Sequence, residues 1–404
     1  MAAAGLSLAL AVTACSGDDD SDKSAGGSTD TTAAARDHDA PAPEQFTGTV
    51  EDFYEVPDPL PKGEPGDLIR VQDLGENAGQ KTLRIMYHSR DAEDRDRAVT
   101  GLVTYPTSRA PAEGWPVVAW SHGTTGINEK CAPSRAGGTA PAYGVQGVAV
   151  ASDYIGLGPV GELHPYLSKP AEGHSSIDAV RAARQLLDAH ASATWISIGH
   201  SQGGHAALSA SELAKEYAPE LKLIGTVALA PGSDFDKTFG PVDEVVTRVI
   251  GAMMLYGATS EHPDLDPADY AGPGLAEKAD LVKSECLDVI TVPVAGIPAD
   301  TFWTKDPLTT EPTKSMLLAN EVGVTKVDAP LLMVAGTTDI QVNFERAKSL
   351  YHRLCDLGQE TELIVVEGAD HGGIIPATSA RVTAWMQDRL AGKPATDSCG
   401  TVDP

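Results

Sequence analysis

Five residues constrain this chain more than any others: Gly199-His200-Ser201-Gln202-Gly203. The run before them, Thr194-Trp195-Ile196-Ser197-Ile198, reads as a buried strand, and Gly204-His205-Ala206-Ala207-Leu208 after them reads as a helix start. A strand that turns into a helix this abruptly holds its central serine at strained backbone angles. Glycines must flank it, because the strand and helix backbones approach closely there. The turn lifts the hydroxyl above the sheet and aims the amide of Gln202 at any oxyanion formed there. Ser201 is therefore the candidate nucleophile.

A serine of this kind needs a base and an orienting acid, expected downstream in the order acid, then histidine. Pro330-Leu331-Leu332-Met333-Val334-Ala335-Gly336 reads as a strand that runs into Thr337-Thr338-Asp339. Glu362-Leu363-Ile364-Val365-Val366-Glu367 reads as the next strand, followed by Gly368-Ala369-Asp370-His371-Gly372-Gly373. His371 is thus expected as the general base and Asp339 as its orienting acid. Asp370 is disfavoured because neighbours in an extended loop point apart. His200 and His205 are expected to pack or to line the pocket. For the oxyanion a second backbone donor is needed. The turn His122-Gly123-Thr124-Thr125-Gly126, after a strand at Val117-Val118-Ala119-Trp120-Ser121, offers Gly123 or Thr124 beside Gln202.

The N-terminal residues 1–14 read as an export signal. They are apolar or small, uncharged and too few to span a bilayer. Val12-Thr13-Ala14-Cys15 resembles the lipobox of bacterial lipoproteins, in which Cys15 would become the acylated first residue. Residues 15–50 are expected to form a disordered, acidic tether, poor in large apolar side chains. The chain carries a net charge of −27 at pH 7. That excess argues against nucleic acid or an anionic membrane surface as partner, leaving the lipid anchor as the membrane contact.

Residues 51–404 are long enough for one large core. Strand signals at Leu68, Leu83 and Ala98 suggest an antiparallel meander. Further strands at Val117, Gly147, Trp195, Leu223, Leu331 and Leu363, separated by helical patterns, give a mostly parallel, doubly wound sheet. Ser175-Ser176-Ile177-Asp178 suggests a helix start. Residues 234–328 break the alternation and read as an inserted helical lid or cap. Met253-Met254-Leu255-Tyr256 and Phe302-Trp303 are expected either to line an acyl pocket or to pack the cap's own core. With Cys15 set aside, Cys131, Cys286, Cys355 and Cys399 suggest two disulfides among three connectivities.

Trp120 to Gly126, Cys131-Ala132-Pro133-Ser134, Ser152-Asp153-Tyr154-Ile155-Gly156-Leu157-Gly158, His164-Pro165-Tyr166-Leu167, the elbow, Asp339 and His371 together resemble the secretory lipase family. This is the lipase A-like branch of the α/β-hydrolases, and the likeness runs from about residue 60 to the end. It implies an α/β-hydrolase fold with a lid after Ala230 and pairing of Cys131 with Cys286 and Cys355 with Cys399. It also implies an exported ester hydrolase, a lipase or esterase of acylglycerols, working through a Ser-His-Asp triad without cofactor or metal. The expected partner is an ester or lipid substrate, met as a monomer. A peptidase of related fold and a catalytically silent surface binding protein are the alternatives.

Overall fold

The apolar runs pair edge to edge into one sheet. In the computed structural model, which describes residues 41–235 and 245–401, the strands are β1 (Glu44–Phe46), β2 (Leu68–Asn77), β3 (Gln80–Arg90), β4 (Asp96–Pro106), β5 (Trp115–Ser121), β6 (Val148–Ser152), β7 (Ala191–His200), β8 (Lys222–Leu229), β9 (Leu331–Gly336) and β10 (Thr361–Val366). Their order across the sheet is β1-β2-β3-β4-β6-β5-β7-β8-β9-β10. β2, β3 and β4 form the antiparallel meander, β4 also meets β6 antiparallel, and from β6 to β10 every neighbour is parallel. Parallel strands covered on both faces need unbroken apolar runs. Val117 and Val118 in β5, Trp195, Ile196 and Ile198 in β7 and all six residues of β9 are accordingly buried.

The helices are α1 (Val50–Phe53), α2 (Lys169–Gln185), α3 (Gln202–Tyr217), α4 (Val245–Gly257), α5 (Pro273–Glu277), α6 (Ala279–Ser284), α7 (Leu287–Ala295), α8 (Thr313–Ala319), α9 (Phe344–Asp356) and α10 (Ile374–Leu390). One sheet face packs Ala179, Val180 and Ala183 of α2, Leu208 of α3 and Leu350 of α9. The other packs Val382, Trp385 and Met386 of α10. The sheet is doubly wound.

Two expectations are corrected. The tether does not extend to residue 50: Glu44–Phe46 pairs in parallel with β2, and the Glu44 carboxylate bridges to Arg70 at 2.6 Å. Phe46 packs on the edge of a cluster around Phe53, which supplies the apolar burial that composition did not reveal. The first helix of the parallel half begins at Lys169 rather than Ser175. Ser168 caps it and Pro170 stands in its first turn, a start signal in its own right. Ser175 and Ser176 sit inside it because their hydroxyls donate back to the carbonyls of Ala171 and Glu172 at 2.6 and 2.8 Å. Of the two alternatives for the apolar residues of the insertion, core packing holds for Met253 and Phe302, which do not line the active cavity. They are fully buried with Tyr270, Leu275, Val282 and Ile290 in the apolar core of the α4–α8 insertion between β8 and β9. The signal, Cys15 and the tether up to residue 40 lie outside the described residues.

Cys131 is bonded to Cys286, at the N-terminus of α7, and Cys355 to Cys399, each with a Cα separation of 5.5 Å. Two such bonds mark a domain that matures in an oxidising compartment.

Candidate active site

The turn from β7 into α3 has the strain anticipated for it. Ser201 sits at φ 61° and ψ −120°, a conformation held by donation of its N–H to the Leu229 carbonyl at 2.9 Å. The flanking glycines are required by contact: a Cβ on Gly199 would lie 1.9 Å from the Gly203 carbonyl oxygen. One on Gly203 would lie 1.9 Å from that of Ser121. Gln202 opens α3, so its backbone N–H is one of the first-turn donors that have no partner within a helix.

Asp339 lies in the loop after β9 and His371 in the loop after β10. His371 Nδ1 is 2.7 Å from Asp339 Oδ2, and both residues are buried. The other oxygen of Asp339 accepts from the N–H groups of Gln341 and Val342 at 2.8 and 2.9 Å, which fixes the carboxylate. Asp370 turns elsewhere and accepts from Gly373 N–H at 2.7 Å, before α10. Ser201, Gln202, His371, Gly123 and Thr124 all border one cavity of about 610 Å³. Its apolar wall comes from Phe235, Val246, Val249 and Ile250 on the insertion side, with Leu287 of α7 and Ile340 near the acid loop.

The turn after β5 is braced from behind. Burial pushes His122 below the ordinary imidazole value, so the ring is neutral, and its Nδ1–H donates to the Gly123 carbonyl at 2.7 Å. Peptide planarity then sends the Thr124 N–H to the opposite side. Tyr154 stacks on the His122 ring and donates its hydroxyl to the His122 carbonyl at 2.9 Å. The next brace joins the Cys131–Ser134 and Ser152–Gly158 segments: Asp153 accepts from Ser134 N–H at 2.9 Å, and also from the Thr100 hydroxyl at 2.6 Å. Cys131 lies on the same loop, so its bond to Cys286 ties this turn to α7, helped by Leu287 N–H donating to Thr125 at 2.8 Å.

Two residues carry more of the site than their sequence context suggested. His200 reaches across to the His371 loop, and Glu172 of α2 reaches under Gln202. The sequence held only a slight signal for either: an acid among the small residues near the start of a buried helix, and a histidine at 200 expected only to pack or to line the pocket. Among the described residues no group of three or more His, Cys, Asp or Glu side chains is arranged to hold a metal ion.

A strand-turn-helix serine, an acid and a histidine after successive later strands, and a cap inserted between strands define an α/β-hydrolase. A family model described as "Secretory lipase" matches residues 143–398, and the chain belongs to that family. A secreted triacylglycerol lipase of Malassezia globosa is 24% identical over 383 residues, covering 86% of this chain and 82% of that protein. A protein described as a probable inactive lipase from Mycobacterium tuberculosis is 24% identical over 373 residues, covering 85% of this chain and 83% of that one. Candida antarctica lipase A in its closed state matches with a TM-score of 0.74 at 17% identity, over 89% of this chain and 90% of that one. At that identity the likeness is one of fold. Lipase/esterase family membership and fold together support ester hydrolase activity.

Proposed function

We propose that the chain is a serine carboxylic ester hydrolase acting on acylglycerols or similar esters. Ser201 Oγ attacks the ester carbonyl carbon and passes its proton to His371, whose cationic form Asp339 stabilises. The tetrahedral oxyanion is held by the Gln202 N–H and by a second amide in the turn after β5. The His122–Gly123 bond favours Thr124 over Gly123 for that role. His371 then protonates the departing alcohol; a water deprotonated by His371 attacks the acyl carbon, and as the acyl–Oγ bond breaks His371 returns that proton to Ser201, releasing the acid. Each well-placed donor lowers the barrier by on the order of 3 kcal/mol. The observation that carries the reading is the 2.7 Å His371–Asp339 bond on the wall of the same cavity that the strained Ser201 borders. No cofactor enters the scheme, and a monomer suffices for it.

The test is labelling by a fluorophosphonate probe, with the modified peptide identified by mass spectrometry and turnover compared on p-nitrophenyl esters and matched amides. Labelling at Ser201 with ester turnover is expected. A folded sample that neither labels nor turns over favours the silent binding protein, a reading supported by the Mycobacterium tuberculosis relative described as probably inactive. Faster amide cleavage favours a peptidase. Export with acylation at Cys15 belongs to the same proposal. It rests on the Val12-Thr13-Ala14-Cys15 sequence and on pairing of the other four cysteines. The mass of the mature N-terminal peptide decides it.

A further inference from the structure

Glu172 is a charge in a place that rejects charge: it lies in the first turns of α2 with no exposed surface. A carboxylate stripped of water is tolerated only when donors replace the water. Both of its oxygens are engaged. Oε1 accepts from Leu167 N–H at 3.1 Å and from the Gln202 side-chain amide at 2.7 Å, while Oε2 accepts from His205 Nδ1–H at 2.7 Å. His205 Nε2–H in turn donates to the Asn320 carbonyl at 2.8 Å. Both ring nitrogens of His205 face oxygen acceptors, so the ring carries both protons and the pair is a carboxylate with an imidazolium.

His164 completes the set. Its Nδ1–H donates to the Ile155 carbonyl at 2.7 Å, which leaves Nε2 to accept from the Gln202 amide at 2.8 Å. Gln202 therefore has both amide hydrogens committed, and the residue is only 2% exposed. It directly follows Ser201, whose strained backbone must be determined by its surroundings. His205 lies one turn further along α3, and its N–H donates to the Ser201 carbonyl at 3.1 Å. The elbow is thus gripped at the residue after the serine and again one turn on, by the same carboxylate.

We propose that Glu172 is a positioning residue that acts through Gln202 and His205 to aim the Gln202 backbone N–H at the oxyanion. Through the His205–Asn320 bond the same pair ties the elbow to the chain leaving the cap after α8. The proposal rests on the reading of Ser201 as nucleophile. A merely structural role would lower stability and weaken every interaction with substrate. A positioning role acts on the transition state, because the donor is used fully only when the oxyanion forms.

The experiment compares full-length wild type with Glu172→Gln and Gln202→Met. Readouts are kcat and KM on p-nitrophenyl butyrate, thermal melting, and affinity for a trifluoromethyl ketone. That ketone forms a bond between its carbonyl carbon and Ser201 Oγ, passes the hydroxyl proton to His371, and leaves an alkoxide in the donor site. Both variants should lose kcat by at least ~10-fold with KM changed less than about twofold, the pattern of a lost transition-state interaction. Inhibitor affinity should fall by a similar factor. Gln202→Met leaves the Glu172–His205 pair intact, so it decides the matter if Glu172→Gln does not fold. An unchanged kcat in folded Gln202→Met, or a raised KM with kcat intact, overturns the proposal. A wild-type protein that is folded but inactive overturns the hydrolase reading as well, and is recognised before any variant is compared.

Discussion

His200 donates its Nε2–H to the backbone carbonyl of His371 at 2.8 Å, so the residue before the elbow serine grips the loop that carries the opposing imidazole. The two rings lie 4.5 Å apart, centre to centre. Burial first, and then the neighbouring His371, push His200 from 6.5 down to about 4. It is neutral at working pH, in the tautomer the bond requires.

His200→Leu should therefore retain the fold and lose kcat by about 10-fold, because His371 loses its brace. The stability effect has a definite sign. A histidine whose folded value lies below its unfolded one contributes stability above about pH 6.5, and this is lost as pH falls toward 4. The variant should show less loss of stability across that window, measured by urea unfolding at pH 7 and pH 5. Full activity in His200→Leu would contradict the brace.

Replacing the attacking and proton-transferring groups should be far more severe. Ser201→Ala and His371→Ala are expected to lose kcat by at least ~10⁴-fold with melting temperatures close to wild type. Asp339→Asn should fall nearly as far, since an amide can present its N–H to His371 Nδ1 and trap the wrong tautomer. Retained turnover in any of the three, after purification from a host lacking background esterase, removes that residue from the mechanism.

Much of this was legible from local pattern. The elbow, the strands at Leu331 and Leu363 and the loops after them are short-range features, and position along the chain fixes which loop follows which strand. What stayed hidden depends on long-range contact. β1 is a strand only because β2 offers it an edge and Arg70 meets Glu44. Ser175 and Ser176 carry a capping signature, yet α2 passes straight through them, since tertiary burial outweighs local preference there. Met253 and Phe302 are apolar residues of an insertion whose own core needed filling, and no periodicity tells core from cavity wall. Glu172 is hardest of all. Its partners come from the loop before α2 and from α3, so only folding brings them to one carboxylate.

The Cys131–Cys286 bond closes 155 residues of chain. In the chain-entropy model such a closure contributes on the order of 5 kcal/mol, an upper figure because unfolded chains retain structure. Its ends lie on the loop beyond the Gly123–Thr124 turn and at the head of α7, whose Leu287 lines the cavity. Replacing both cysteines by alanine should lower the melting temperature and raise KM more than the same change at Cys355 and Cys399, which close 44 residues and do not border the cavity. Equal KM values in the two double variants would refute the link between this bond and the cavity wall.

Gly203→Ala tests the elbow by bulk alone. The added methyl has no room, with the Ser121 carbonyl 1.9 Å away and the His122 carbonyl 2.7 Å away, and both are backbone atoms of a central strand end. Something must shift, and the expected cost is several kcal/mol, seen as poor soluble yield or a melting temperature lowered by more than 10 °C for any material recovered. A near-native variant would mean that the turn is looser than its contacts indicate.

Glu261 offers a pH test away from the catalytic groups. It lines a small pocket of about 40 Å³ with Met254, Leu255 and Leu265, and the Ser168 hydroxyl donates to it at 2.9 Å. Burial is the main cause that raises its carboxyl from 4.5 to about 7; the Ser168 hydrogen bond opposes it, Glu93 and Asp91 add to it, and Arg97 opposes it weakly. A carboxyl whose folded value is raised contributes stability that is full below about pH 4.5 and is lost as pH rises through 7. At pH 8.5 the wild type must ionise a buried acid, at a cost of up to roughly 3 kcal/mol. Glu261→Gln keeps the shape and an acceptor for Ser168 but has nothing to ionise. It should match wild type at pH 5 and exceed its unfolding free energy by about 1–3 kcal/mol at pH 8.5, as read from urea titrations at the two pH values. A variant equally destabilised at both would show that Glu261 is held by its packing and not by its proton.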